Sequence, residues 1–250
     1  MTRRLTDIWC VFRIHLERVR AEAGPFILAA LIFPAAMYLF ASAVGSHGTA
    51  DDDHHLRFLA GSIVFSLSLT AICWLGYLLL ENRFTGRLRL FATLPLASSS
   101  YAFGILLFGL VQAVLGITSL LLISRLFGVR TALTLPATGL LAVLIVVMML
   151  CGCGIALVIA SRARSFSEGS LLTDALGAGI VLFAPIYYGP EALPRGLQYV
   201  SRLFPTTYAA RAVLSTLDGR HDVMGDLAVL TVIAAVTITV GVRSMRWSED

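Results

Sequence analysis

Residues Glu81–Tyr101 read ENRFTGRLRLFATLPLASSSY and separate two long apolar runs of the chain. The run before them, Phe58–Leu80, contains no charged residue, and the chain turns apolar again after them as far as Ser124. An uncharged run of this length is typical of a membrane-spanning helix. The sequence therefore predicts a short, arginine-bearing segment between two spans, where it is open to contact from the aqueous side.

The same stretch has the spacing of a short helix. Leu88, Phe91 and Leu94 follow one another at intervals of three, which puts them on one helical face. Pro95 ends the helix, because proline lacks the backbone donor and its ring clashes with the preceding turn. Ser98–Ser100 offer hydroxyl groups that can cap the next helix. We therefore expect a short helix that stops at Pro95 and a new span soon after it.

Composition places the whole chain in a membrane. Of its 250 residues, 58% are hydrophobic and only 14% are charged, and the mean hydropathy is +0.85. A soluble domain carries about 25% charged residues. Because only helices and closed barrels satisfy the backbone inside a bilayer, these long apolar runs predict an all-α polytopic membrane protein.

The chain contains no lysine, and its net charge of +4 comes from arginine. A nucleotide-binding P-loop requires G-x-x-x-x-G-K-[ST], in which the lysine reaches the phosphates. Nucleotide-driven work would therefore have to be done by a partner protein. The arginines are scattered over loops and form no dense basic stripe, so we expect no nucleic-acid partner.

Six apolar segments are candidates for membrane spans. They are Gly24–Gly45, Phe58–Leu80, about Tyr101–Ser124, about Pro136–Ala160, about Leu171–Tyr188 and about Val223–Val242. The fifth is the shortest and carries Asp174 near one end. Together with the short helix at about 81–95, they form a six-span domain over residues 24–250. Pro34 is expected to kink the first span.

Two further segments are amphipathic. Residues 1–23 carry an apolar stripe at helical spacing beside several arginines, which predicts a helix in the membrane interface; a plain cytosolic tail is the alternative. Between spans five and six, prolines divide residues 189–222 into short segments, each with an apolar face. We interpret these pieces as two short interfacial or re-entrant helices, covered by protein or facing a water-filled cavity.

The arginines set the orientation, because cytosolic loops carry an excess of positive charge. With the N-terminus in the cytosol and six alternating spans, twelve arginines lie inside and seven outside. This orientation puts both termini and the 81–101 stretch in the cytosol.

Metal or redox sites are weakly indicated. His47, Asp51–Asp53, His54 and His55 could ligate a metal, but such a run is more typical of a solvated loop. Three of the four cysteines lie in predicted spans; Cys151 and Cys153 are not spaced as C-x-x-C. We interpret these cysteines as small packing residues rather than a metal or redox pair.

Taken in order, these features resemble the permease subunits of the ABC-2 type exporter family. An amphipathic N-terminal helix precedes six spans, and Glu81, Gly86, Leu94 and Pro95 match the family's Glu…Gly…Leu-Pro signature after span two. Ala184-Pro185, Leu193-Pro194 and Phe204–Tyr208 match the stretch after span five. One position departs from the pattern: Leu214 stands where family members often carry arginine, and Arg211 lies one turn earlier.

The resemblance implies a passive subunit of an ATP-driven exporter in a bacterial inner membrane. Two permease chains, identical or related, would pair among membrane lipids, and each would bind a cytosolic ATP-binding subunit that holds ATP and Mg²⁺. The permease itself would be no enzyme and carry no cofactor. The helix after span two would dock on the ATPase through a set of charged and apolar residues: Glu81, Arg83, Phe84, Arg87, Leu88, Phe91, Leu94 and Pro95. The alternative is that these residues pack under their own bundle.

The short helices after span five would form an outer cap or gate, with Tyr187, Tyr188, Pro194, Pro205 and Tyr208 as its candidates; interfacial anchoring of these aromatics is the alternative. Gln112 is the one amide in the third span and a candidate for the translocation path. Because the spans hold few polar groups, we expect a hydrophobic or amphipathic cargo such as a drug, a lipid-like molecule or a glycan.

Other classes fit less well. An intramembrane enzyme needs paired catalytic groups at membrane depth, and the spans carry no such pair. A stand-alone secondary transporter requires charges at mid-span, and often an internal repeat. A non-transporting membrane scaffold or immunity protein stays open as an alternative.

Overall fold

The computed structural model describes residues 2–21, 23–45, 52–94, 96–183, 185–188, 193–220 and 222–245. Every regular element among these residues is helical. The α-helices are α1 (Thr2–Ala21), α2 (Ala23–Ile27), α3 (Phe33–Gly45), α4 (Asp52–Ser68), α5 (Leu75–Phe84), α6 (Arg87–Thr93), α7 (Ser98–Leu126), α8 (Leu135–Arg162), α9 (Phe166–Phe183), α10 (Arg195–Ser201), α11 (Pro205–Leu217) and α12 (Met224–Ser244). Two π-helical segments, π1 (Leu28–Ile32) and π2 (Leu69–Trp74), join α2 to α3 and α4 to α5.

Five helices among these residues are long and apolar enough to cross a membrane. They cover Ala23–Ala43, His54–Phe84, Ser98–Leu126, Leu135–Arg162 and Met224–Ser244. The first and last are peripheral, because only 17% of their most apolar window is buried, against 67% for the second and fourth. The chain is thus an all-helical multi-pass protein whose second and fourth spans form its centre.

The helix α9 runs alongside the second span in the opposite direction. A Cβ added at Gly169 would meet Leu80, and one added at Gly177 would meet Cys73. Farther along, Gly61 of α4 lies against the backbone of Ile186. These contacts follow the second span from Leu80, near its end, back to Gly61.

Pro34 lies in α3 directly after the π1 segment. Proline cannot donate to the carbonyl four residues earlier, which is that of Ala30. The third span covers this carbonyl, because a Cβ at Gly116 would lie 2.9 Å from the Ala30 oxygen. The helix therefore accommodates the proline by widening one turn, and a neighbouring helix shields the carbonyl that proline leaves without its helical donor.

Several predicted boundaries differ from the structure. The second span continues through Phe84, so Glu81 and Arg83 belong to the spanning helix and not to the short helix. The short helix begins only at Arg87, because Gly86 adopts a left-handed conformation (φ 78°) that breaks the helix. The predicted serine cap of the third span is wrong, since Ala97 holds that position without a side-chain bond.

Other predictions fall partly beyond the described residues. The side chains of Asp51–Asp53 lie outside them, as do His47 and Pro95. Among the residues that the structure describes, no three His, Cys, Asp or Glu side chains cluster as metal ligands. Cys151 and Cys153 are buried, free thiols in the interior of α8.

A close contact between backbones joins α8 to α12. A Cβ at Gly154 would collide with the backbone of Thr237 and Ile238, and one at Gly241 would lie 2.7 Å from the Gly154 carbonyl oxygen. Small residues let membrane helices approach closely, so that dispersion contacts hold them together.

We predict that Gly154→Leu weakens this contact, because the larger side chain forces the two backbones apart at a cost of about 1–3 kcal/mol. Thermal unfolding of the detergent-solubilised protein measures the effect. Gly139→Leu on the same helix is the matched control, since nothing lies within 4 Å of a Cβ there. Equal melting temperatures for the two variants would contradict the prediction.

Candidate functional site

The carboxylate of Glu81 joins three helices. Arg18 of α1 donates two hydrogen bonds to it, from Nη1 to Oε2 at 2.8 Å and from Nη2 to Oε1 at 3.0 Å. Arg87 of α6 donates a third to Oε1 at 3.3 Å. The Arg18 and Glu81 side chains are about one-third exposed, so the two-pronged pair is partly shielded from water. We call Arg18, Glu81 and Arg87 the arginine–glutamate junction.

Arg83 binds a different helix. Its Nη1 donates to the carbonyl oxygens of Ala160 and Ala163, at 2.6 and 2.9 Å. These carbonyls lie at the C-terminal end of α8, where a cation satisfies acceptors that the helix leaves open. The guanidinium also lies 5.2 Å from the centre of the Phe84 ring. Arg83 thus ties the end of the second span to the end of the fourth.

The inward face of α6 is anchored on the start of α7. The ring centres of Phe91 and Tyr101 are 5.3 Å apart, and the Tyr101 hydroxyl accepts a hydrogen bond from Asn82 Nδ2 at 2.9 Å. Asn82 and Tyr101 are fully buried, and Phe91 is only 9% exposed. Leu88 packs partly buried against the same core.

The structure divides the predicted docking residues between two sides of α6. Phe91 points into the bundle, because it packs against Tyr101. Leu88, on the same face of α6, is partly buried. The open side carries Leu90, 68% exposed, with Leu94 at 50% and Phe84 at 39%. Spacing alone missed Leu90; its signal was the alternation of arginine and leucine in Arg87–Leu90.

The N-terminal helix packs on the bundle instead of lying free. Val11, Phe12 and His15 are buried, and a Cβ at Gly104 of α7 would collide with Val11. Leu5 and Trp9, from the predicted stripe, are 65% and 57% exposed. The helix thus has one face on the bundle and a neighbouring apolar face that is uncovered.

His15 is the one buried imidazole among the described residues. It is 4% exposed, and its ring centre lies 5.8 Å from that of Phe108. Burial, and then the positive charges of Arg18 and Arg87, lower the pKa of His15 to about 4. The imidazole is therefore neutral at physiological pH.

The tyrosine candidates for the outer gate lie at the opposite end of the bundle, where each has different contacts. Tyr187 packs on Gly61 and lies 6.3 Å, ring centre to ring centre, from Phe58. Tyr208 of α11 donates from its hydroxyl to the Arg202 carbonyl at 2.8 Å. Tyr188 lines a cavity of about 110 Å³ with Arg211 and residues of α4 and α11.

The prolines of this end begin helices. Pro194 precedes α10 as its N-cap, and Pro205 is the first residue of α11. Arg211, one turn from the position where the family often has arginine, pairs with Asp226 of α12 at 2.5 Å and lies over the Tyr208 ring.

Gln112 is placed inside the bundle. It is 1% exposed, and its Oε1 has no partner among the described residues. It lies on the α7 face between Gly109, which contacts Leu75, and Gly116, which contacts Ala30. This interior position does not favour the predicted role in the translocation path, because the residue reaches no open surface of the chain.

Comparison with known proteins agrees with the resemblance read from the sequence. Residues 8–217 match the family model described as ABC-2 type transporter. Because the match covers most of the chain, the protein belongs to that family and is a transmembrane subunit of an ABC transporter. The family's domain has no ATPase site and carries no cofactor of its own. No curated protein sequence matches the chain significantly.

We predict that a double-mutant cycle of Arg18→Gln and Glu81→Gln gives a coupling free energy of about 1 kcal/mol, since the pair is two-pronged but partly exposed. Unfolding of the solubilised protein by denaturant measures it. The pair Glu17–Arg20 on α1, with side chains 48% and 71% exposed, is the control and should couple by only a few tenths. Equal coupling in both pairs would contradict a special role for the junction.

A second prediction concerns pH. The pKa of His15 is about 4 in the folded chain and about 6.5 in the unfolded chain. The contribution of this residue to the free energy of unfolding is therefore fully present above pH 6.5, and it is lost as pH falls from 6.5 toward 4. The loss amounts to about 3 kcal/mol. His15→Gln should flatten this part of a stability-against-pH curve; an unchanged slope would show that other groups cause it.

Proposed function

We propose that this ABC-2 type transporter subunit exports a hydrophobic or amphipathic cargo. A separate ATP-binding subunit binds α6 and drives the conformational change. The observation that carries the proposal is the two-sided character of α6. One side is fixed to the bundle through Phe91 and Arg87, and the other exposes Leu90 and Leu94 at the same end of the molecule.

The contacts of α6 suit it for transmitting force. Arg87 holds Glu81 and through it Arg18 of α1, while Phe91 holds Tyr101 of α7. The junction is partly shielded and the aromatic pair is buried, so a displacement of α6 would move α1, α5 and α7 together. Arg83 extends the same connection to α8. The apolar anchors Leu90, Leu94 and Phe84, flanked by arginines, are typical of a binding hot spot.

We further propose that α9 and the residues after it form one more crossing, the fifth of six in chain order. Between Leu80 and Gly61 they follow the second span over nineteen residue steps, or about 28 Å at 1.5 Å per residue. This distance is close to the roughly 30 Å thickness of a hydrocarbon core. With six crossings, both termini and α6 lie on one side, which the arginine distribution makes cytosolic.

Asp174 favours a water-accessible face on α9. Its side chain is exposed on the surface of this chain, within hydrogen-bonding reach of the Tyr77 hydroxyl. A carboxylate at membrane depth is costly against lipid and normally faces protein or a water-filled cavity. We therefore place this face toward a second permease chain, with the cargo passing between the two; α10 and α11 would cap the path on the outer side.

The test is a pair of surface variants. Leu90→Asp with Leu94→Asp should abolish co-purification of the ATP-binding subunit, because two carboxylates replace the exposed apolar anchors, and ATP-driven transport should fall with it. Leu126→Asp is the matched control: Leu126 is 84% exposed but lies at the other end of α7, so binding should persist.

Undiminished co-purification of the double variant would reject α6 as the contact. Phe91→Asp is unsuitable for this purpose, since it would unfold the α6–α7 contact. An impermeant thiol reagent that labels Leu90→Cys only from outside the cell would reject the proposed orientation.

A further inference from the structure

A cavity of about 230 Å³ lies beneath the arginine–glutamate junction. It is a half-open cavity bordered by α1, by the start of the first span, by the second span and by α7. Its lining includes His15, Arg18, Phe26, Trp74, Glu81 and Phe108. An engineered protein cavity of about 150 Å³ is large enough to bind benzene. This cavity can therefore hold a ring system or a short length of acyl chain.

The lining changes character with depth. Arg18 and Glu81 form one end, whereas Trp74 lies seven residues before Glu81 on the second span, or about 10 Å deeper. Phe26 and Phe108 lie 6.0 Å apart, ring centre to ring centre, and add to the apolar wall. The cavity is thus polar where the helices meet water and apolar toward the bilayer interior.

His15 supplies an unused hydrogen-bonding group within this cavity. Its side chain is 4% exposed, and Nε2 has no partner among the residues that the structure describes. A buried polar atom without a partner costs about 1–3 kcal/mol. His15 and Arg18 are three residues apart and share one face of α1, so the imidazole borders the polar end of the cavity.

We propose that this cavity binds an amphipathic molecule at the junction of its polar and apolar parts. A hydroxyl or ester carbonyl of the molecule pairs with the imidazole of His15, and its apolar part lies against Phe26, Trp74 and Phe108. A neutral imidazole can serve either group, as a donor to a carbonyl or an acceptor from a hydroxyl. The site is internal to one chain, so it depends neither on the cargo nor on the ATP-binding subunit proposed above.

The same chemistry has two sources, a membrane phospholipid and a single-chain amphiphile. The full-length chain, reconstituted in nanodiscs, is exposed to two photoreactive probes: a phosphatidylethanolamine with a diazirine on one acyl chain, and dodecanol with a diazirine on its chain. Mass spectrometry then maps the labelled peptides. Phe40, 65% exposed on the first span, reports ordinary contact with lipid.

Saturable labelling of residues 19–26 or 74–78, which excess unlabelled probe suppresses while labelling at Phe40 persists, is the expected result. His15→Phe should reduce cavity labelling about fivefold, the effect of losing one neutral hydrogen bond. Val19→Trp, which fills the cavity, should abolish it. Ile14→Phe, at an exposed position of the same helix, is the control and should leave it unchanged.

Labelling by the phospholipid probe identifies a lipid occupant, and labelling by dodecanol alone identifies a single-chain amphiphile. Cavity labelling that is no stronger than at Phe40, or that Val19→Trp leaves intact, overturns the proposal. If His15→Phe lowers the yield of folded protein, the Val19→Trp comparison decides the matter by itself.

Discussion

The Glu81 carboxylate lies at the boundary between the spanning part of the bundle and its polar end, and it holds arginines from two other helices. The two arginines belong to different helices. Arg18 links the N-terminal helix to the bundle, and Arg87 links the first turn of α6 to it. Without this carboxylate two guanidinium groups would face each other across a partly shielded space. One acidic side chain thus joins α1 and α6 to the second span, and the packing of Val11 on Gly104 and of Phe91 on Tyr101 adds to this connection. Because the Arg18 and Glu81 side chains are about one-third exposed, high salt weakens this junction.

Inside the bundle, the constraint is of a different kind. Lipid is as apolar as the side chains, so burial alone gives helices little reason to associate. The chain relies on close approach instead, with Gly104 against α1, Gly116 against the first span and Gly154 against α12. The polar contacts lie mainly at the two ends, where the arginine–glutamate junction and the Arg211–Asp226 pair are found. Close helix packing thus fills the middle of the bundle, and the charged pairs lie at its two ends.

The sequence predicted the class of fold and the existence of the short helix after the second span, because apolar run length, leucine spacing and proline are local signals. It could not tell which face of that helix is open. That choice depends on Tyr101, which lies ten residues after Phe91 and offers it an aromatic partner. The role of Glu81 was likewise out of reach, since Arg18 lies far away along the chain. The position of His15 beside a cavity was not predictable for a similar reason, because a single histidine in an amphipathic helix gives no sequence pattern that indicates a cavity.

The π2 segment has a mechanical consequence for the second span. It divides that span into one half that carries Gly61 and contacts the residues after α9, and another that carries Glu81 and contacts α1 and α6. A π-turn holds more residues per turn than the 3.6 of an α-helix. Tightening it to an α-turn would rotate one half of the span relative to the other about the helix axis. A change at this turn would therefore let the two ends of the second span rotate by different angles.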